Sequence, residues 1–208
     1  MLFWKSERDL FVCSSTQFAL ELVQRLTSQE RNLFFSPYIL SSLLAMVYAG
    51  ARGDTAAQMA EVLHFPSDHE KLHGQITDLH ERFLACNKSG HYELRIGNRL
   101  WSQIGYPLRE SFLDILARYY RGGVELVDFS QSDQVCRVIN RWVEDETAGL
   151  IKNLVSKAML NRETRMVLTS AIYFKGSWIS PFKQQNTHDQ DFWIAPQKGI
   201  QTPMMPRQ

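Results

Sequence analysis

Arg165-Met166-Val167-Leu168-Thr169-Ser170-Ala171-Ile172-Tyr173-Phe174, closed by Lys175-Gly176, is the stretch on which the fold turns. Apolar side chains fall at both odd and even positions, so neither face of a strand would be polar. The pattern predicts a strand covered on both sides and central in its sheet. Upstream, Tyr92, Leu94, Ile96 and Leu100 alternate with Glu93, Arg95 and Arg99, the period of a strand with one buried face. Val124 to Phe129 predicts a second short strand before the decisive one. Two more are predicted around Phe192 and from Ile200 to Met205, separated by Pro196 and Lys198-Gly199.

The first half reads as helices. Phe18, Leu22 and Leu26 recur one turn apart behind Ser14 and Ser15, which are expected as N-caps. After Asn32-Leu33-Phe34-Phe35, a short apolar strand candidate, Ser36-Pro37 supplies a cap and a first-turn proline for a nearly all-apolar helix, Ile39 to Ala49, ending at Gly50. Thr55 and Gln58 suggest a capping box for the next helix, with Met59, Val62 and Leu63 as its buried stripe and Pro66 as its stop. Another capping box, Ser67 with Glu70, opens a helix carrying Leu72, Ile76, Leu79 and Phe83 on one face. Leu108, Phe112, Ile115, Leu116 and Tyr119 mark a helix closed by Gly122-Gly123. Ser132 is expected to cap a last one through Val135, Val138, Ile139, Trp142 and Val143 to about Gly149. There is no repeat or low-complexity linker, so residues 1–208 are expected to form one α+β domain. The apolar strand pattern running into Met204-Met205 stops without a closing helix or polar tail, and the domain is expected to be incomplete.

Composition narrows the function classes. In 208 residues, 44% are hydrophobic and 22% charged, and 23 Lys and Arg face 22 Asp and Glu for a formal charge of +1. That balance argues against nucleic acid and anionic membrane as partners. No apolar run approaches the roughly 18–20 residues that span a bilayer, and Lys5 to Asp9 interrupts the start too early for a signal sequence. The chain is therefore expected to be cytoplasmic unless a leader has been removed. Cys13, Cys86 and Cys136 lie far apart and odd in number, which fits neither a disulfide framework nor a zinc knuckle.

The sharpest catalytic pattern is His69-Glu70-Lys71-Leu72-His73, a literal H-E-x-x-H in which two His one turn apart could hold zinc and the Glu act as base. Local features count against it. Glu70 has a competing partner in the backbone N–H of the expected cap Ser67, and the motif opens a helix whose first turn is expected to be a solvated face. Lys71 adds a cation between the ligands, His80 and Gly74 are misplaced for the extended motif, and Glu93 is the remaining distant third ligand. No metal, cofactor or catalytic residue is expected. The chain has no G-x-S-x-G, G-x-G-x-x-G or G-x-x-x-x-G-K-[ST]. Asn87-Lys88-Ser89 fits a glycosylation acceptor, relevant only in a secreted protein.

Several blocks in order carry a family resemblance: Asn32-Leu33-Phe34-Phe35-Ser36-Pro37; Met46-Val47-Tyr48-Ala49-Gly50-Ala51 with Gly53-Asp54-Thr55 and Gln58-Met59; and Asn98-Arg99-Leu100-Trp101. Ile139-Asn140-Arg141-Trp142-Val143-Glu144 follows with Thr147 and Gly149, then Ala171-Ile172-Tyr173-Phe174-Lys175-Gly176 with Trp178, Phe182, Thr187, Phe192 and finally Met204-Met205. The chain resembles the serpins, the serine protease inhibitors and their non-inhibitory relatives. The resemblance implies a helical N-terminal shell packed on a large, mostly antiparallel sheet. It also implies an inhibitor, not an enzyme, working once: a serine or cysteine protease cleaves an exposed loop, which inserts beside the strand matching 165–174 and traps the protease. The family's framework positions fall at Asn140, Trp142, Thr147, Gly149, Trp178, Thr187 and Phe192. Ser36 matches the sheet-opening region, the shutter. There Ile39 stands where many members have a second Ser, and Ser170 where they commonly have Asn. Family members are about twice as long, so the resemblance places the reactive loop outside this chain, implies a companion C-terminal fragment, and slightly favours an extracellular setting. A hormone-binding or chaperone member is the alternative.

Overall fold

The computed structural model describes residues 10–27, 32–87, 90–120 and 123–206. Its helices are α1 (Leu10–Leu26), α2 (Pro37–Gly50), α3 (Gly53–Leu63), α4 (His69–Cys86), α5 (Glu110–Tyr119) and α6 (Ser132–Glu146). Its strands are β1 (Tyr92–Gln103), β2 (Val124–Val127), β3 (Met166–Gly176), β4 (His188–Ala195) and β5 (Lys198–Met204). The order β2-β1-β3 forms a mixed three-stranded sheet, and β4-β5 a separate hairpin turning at Pro196-Gln197. β1 lies parallel to β2 and antiparallel to β3, with an unbroken register from Tyr92↔Gly176 to Ser102↔Met166. Among the described residues no helix is long and apolar enough to cross a membrane.

Strand β1 divides the molecule. Successive strand side chains point to opposite faces, so Leu100 and Trp101, both fully buried, serve different cores. Leu100 joins Phe11, Met46, Tyr48, Leu72, Ile76 and Leu116 beneath α1–α5. Trp101 joins Phe129, Val135, Ile139, Val143 and Ala171 under α6. Trp142 meets Trp101 edge to face at 6.1 Å and 74°, and the Trp101 indole N–H donates to Thr169 Oγ1 at 2.9 Å. Gly97 makes room for this packing, since a Cβ there would stand 2.9 Å from Trp142 Cζ2.

The decisive strand is found where expected but not in the expected place. β3 lies at the sheet edge and β1 at its centre. Only Thr169 and Ala171 of β3 are buried, while Ile172 and Phe174 are 37% and 66% exposed. Apolarity on both faces records a capacity for cover, and α2 and α6 supply it only near the strand's middle.

Several expected termini also shift. α1 begins at Leu10, so Ser14 and Ser15 are buried inside it rather than capping it; Ser14 Oγ donates to Leu10 O and His64 O. Residues 32–36 form no strand, and Phe34 stands in solvent. α3 starts at Gly53 behind Arg52 with no side-chain cap, which puts Thr55 and Gln58 inside the helix and leaves Val62 exposed. Asp68, not Ser67, caps α4, accepting from Lys71 N at 3.0 Å. Ser132 continues from a 3₁₀ turn, Phe129–Gln131, whose cap is Asp128. The Ser36-Pro37 start of α2 stands as read, with Ser36 Oγ accepting from Ile39 N at 3.4 Å.

Candidate functional site

Ser36 and Ile39, two of the residues the resemblance assigns to sheet opening, lie at the start of α2, which packs against β3. Pro37 fixes the first turn of α2 and Ser36 caps it, which aims the buried Ile39 inward; Ser42 Oγ returns a bond to Ile39 O at 3.0 Å. Ser41 and Ser102 bury hydroxyls without a partner among the described residues. On the sheet, Ser170 sits opposite Asn98, and its hydroxyl donates to Asn98 Oδ1 in a short contact. No hydrogen bond joins Ser36 to Ser170. The polar tie at this level therefore runs strand to strand, β3 to β1, and its amide comes from Asn98. Asn98 belongs to one of the resemblance blocks, but its role required the register that places it across from Ser170.

The framework residues separate into those that hold the second core and those left outside it. Asn140 clamps the loop after α6, donating to Val155 O and accepting from Val155 N, each at 2.8 Å. Thr147 is buried at the end of α6, donates to Val143 O at 2.7 Å and accepts from Ile151 N at 3.1 Å. Gly149 follows with φ 79°, a left-handed turn that favours glycine. Trp178 is largely exposed, edge to face with Phe182 at 6.2 Å; Thr187 donates to Gln184 O. Phe192 is half exposed opposite Ile200.

His69, Glu70 and His73 turn to three different partners. The His69 ring stacks on Tyr48 at 4.4 Å and 9°. Glu70 reaches across to Arg118 Nη1 at 3.4 Å and the Tyr119 hydroxyl at 3.3 Å, not back to a cap. His73 is fully buried, against the solvated face expected of it: Nδ1 is 2.6 Å from the Tyr120 hydroxyl, while Nε2 has no partner. Burial, with the nearby His69 adding to it, lowers the His73 pKa to about 4. Residue 73 lies three before Ile76, on the face of α4 that packs into the first core. Among the described residues no group of three or more His, Cys, Asp or Glu is placed to hold a metal ion.

Asn87 is also committed structurally. Its side chain donates to Leu94 O at 2.7 Å and accepts from Leu94 N at 2.8 Å, tying the end of α4 to β1. Lys88 and Ser89 of the acceptor pattern lie outside the described residues.

A helical shell on one face of a mixed sheet, a crossing helix on the other and an open apolar edge strand define an α+β protein organised around a sheet edge. A family profile described as "Serpin (serine protease inhibitor)" matches residues 13–208, and the chain belongs to the serpin family. It is 37% identical over 186 residues to an uncharacterized serpin-like protein of Methanosarcina mazei, covering 89% of this chain and 43% of that one. It is 36% identical over 195 residues to human serpin B4, covering 86% and 50%. Emu ovalbumin superposes with a TM-score of 0.86 at 31% identity, covering 94% of this chain and 54% of that one. The chain thus spans about half the length of the relatives it matches.

Proposed function

We propose that this chain is the N-terminal part of a protease inhibitor that acts by taking its own cleaved reactive loop into the sheet beside β3. Membership of the serpin family supports the inhibitor class. The observation that supports the finer reading is the state of β3: all eleven residues from Met166 to Gly176 pair with β1 on one side, while no described strand pairs with its other side. An inserting strand would complete the ladder there and cover apolar side chains such as Phe174. On this reading the loop, and with it the choice among serine or cysteine proteases, lies outside residues 1–208. Nothing in the His69-Glu70-x-x-His73 geometry favours an enzyme.

The test is to incubate the longer protein with a panel of serine and cysteine proteases. A complex stable in denaturing electrophoresis, formed once per inhibitor molecule, is the expected result. Cleavage of the loop with full release of active protease would overturn the trap and favour a non-inhibitory binding or chaperone member.

A further inference from the structure

Where the end of α2, the start of α3 and the start of α5 converge beside Met166, the first residue of β3, an open cavity of about 490 Å³ lies. Its size falls within the roughly 300–1,000 Å³ of pockets that enclose small organic ligands. Val47, Leu108, Phe112 and Met166 give it apolar walls. Arg52 and Arg109 line it as well.

The two arginines are differently placed. Arg52 is held in position, with Nη1 donating to Ala49 O at 2.9 Å and Ala51 O at 2.7 Å. Both acceptors are carbonyls, and Arg52 forms no ion pair among the described residues. Arg109 has no ion pair or side-chain hydrogen bond among the described residues. The nearest acidic residues in sequence, Asp54 in α3 and Glu110 in α5, do not line the cavity and form no ion pair with either arginine. An open, largely apolar groove lined by two cationic residues and no acidic one is complementary to a ligand with an apolar body and one negative end.

We propose that this cavity binds a small amphipathic anion of the alkyl carboxylate class. Its chain lies among Val47, Leu108, Phe112 and Met166, and its carboxylate meets Arg109 and the fixed Arg52. A guanidinium can hold both carboxylate oxygens in parallel, which selects this headgroup over a neutral one. The proposal does not depend on protease inhibition, and its failure would leave that reading untouched.

Dodecanoate is the probe and 1-dodecanol its uncharged match, both titrated calorimetrically into the longer protein. Dodecanoate is expected to bind one site saturably, at least tenfold more tightly than the alcohol. It is also expected to bind at least tenfold more weakly to Arg109→Glu. Because Arg109 is exposed and unpaired, that variant should keep the native circular dichroism; if it does not, Arg109→Gln is read by the same criterion. The Met166 methyl resonance should shift with dodecanoate in the unaltered protein. No saturable binding, equal affinity for the alcohol, undiminished binding to the Arg109 variant, or an unmoved Met166 signal would each overturn the site.

Discussion

Protonating His73 would place a charge in the first core, where its Nε2 has no partner and the Tyr120 hydroxyl already occupies Nδ1. The groups around it offer no anion at neutral pH: His69 on its own helix, and Tyr119 and Tyr120 at the end of α5, whose rings lie within 6.3 Å. The native imidazole has a pKa of about 4 against an ordinary 6.5, so the unfolded chain binds the extra proton between those values. Stability is therefore intact above pH 6.5 and falls as the pH drops toward 4, by up to about tenfold in the folding constant per pH unit. Urea unfolding between pH 7 and 4 should show this loss and His73→Leu should reduce it; identical pH profiles would remove His73 as the cause. This residue also shows what was hard to read in the sequence. A histidine on an apolar helix face looks like a ligand or a surface group, because only the approach of Tyr120, 47 residues away, makes burial tolerable. Asn98 and Ser170 were obscure for the same reason, since their contact spans 72 residues.

At the scale of elements, α6 is seated on β1 by the gap at Gly97. Gly97→Ala would bring a methyl group against Trp142 and Glu146, forcing α6 outward or the indole off its position over Trp101. The expected cost is about 1–3 kcal/mol, the usual penalty of overfilling a packed core, read as a lower urea midpoint. An unchanged midpoint would mean that α6 rides loosely on the sheet. Elements whose signals are strictly local were legible: α2 from Ser36-Pro37, β1 from its period of two, and the two late strands around Phe192 and Ile200, although Lys198-Gly199, expected between them, belongs to β5. Caps misled where two local patterns competed. Thr55-x-x-Gln58 resembles a helix start, yet Gly53, with its φ of 55°, already turns the chain into α3. β3 lies at the edge of the three described strands because none of them flanks its other side: hydrophobicity reports what a strand can bury, whereas sheet order depends on which strands are present.

The whole molecule exposes the consequence along its surface. Phe174, Trp178, Ile179, Trp193 and Phe34 all stand largely in solvent, an apolar area that invites association. The 208-residue chain alone is expected to self-associate and to inhibit no protease, and a complementary C-terminal fragment should restore a monomeric complex. Size-exclusion chromatography with amide exchange decides this: a monodisperse monomer, protected throughout Met166–Gly176 with no second fragment, would show the half-length chain to be self-sufficient. The β1–β3 register has another effect, in time rather than in space. Roughly sixty residues separate the end of β1 from the start of β3. At about 5–20 residues per second, a ribosome takes on the order of 3 to 12 seconds to supply them. For that interval the central strand of the three leaves the exit tunnel ahead of its longer partner, with helices α1–α4 already synthesised beside it. The first core can close during translation, but the second must wait for Thr169 and Ala171, so the nascent chain is most in need of a chaperone between β1 and β3.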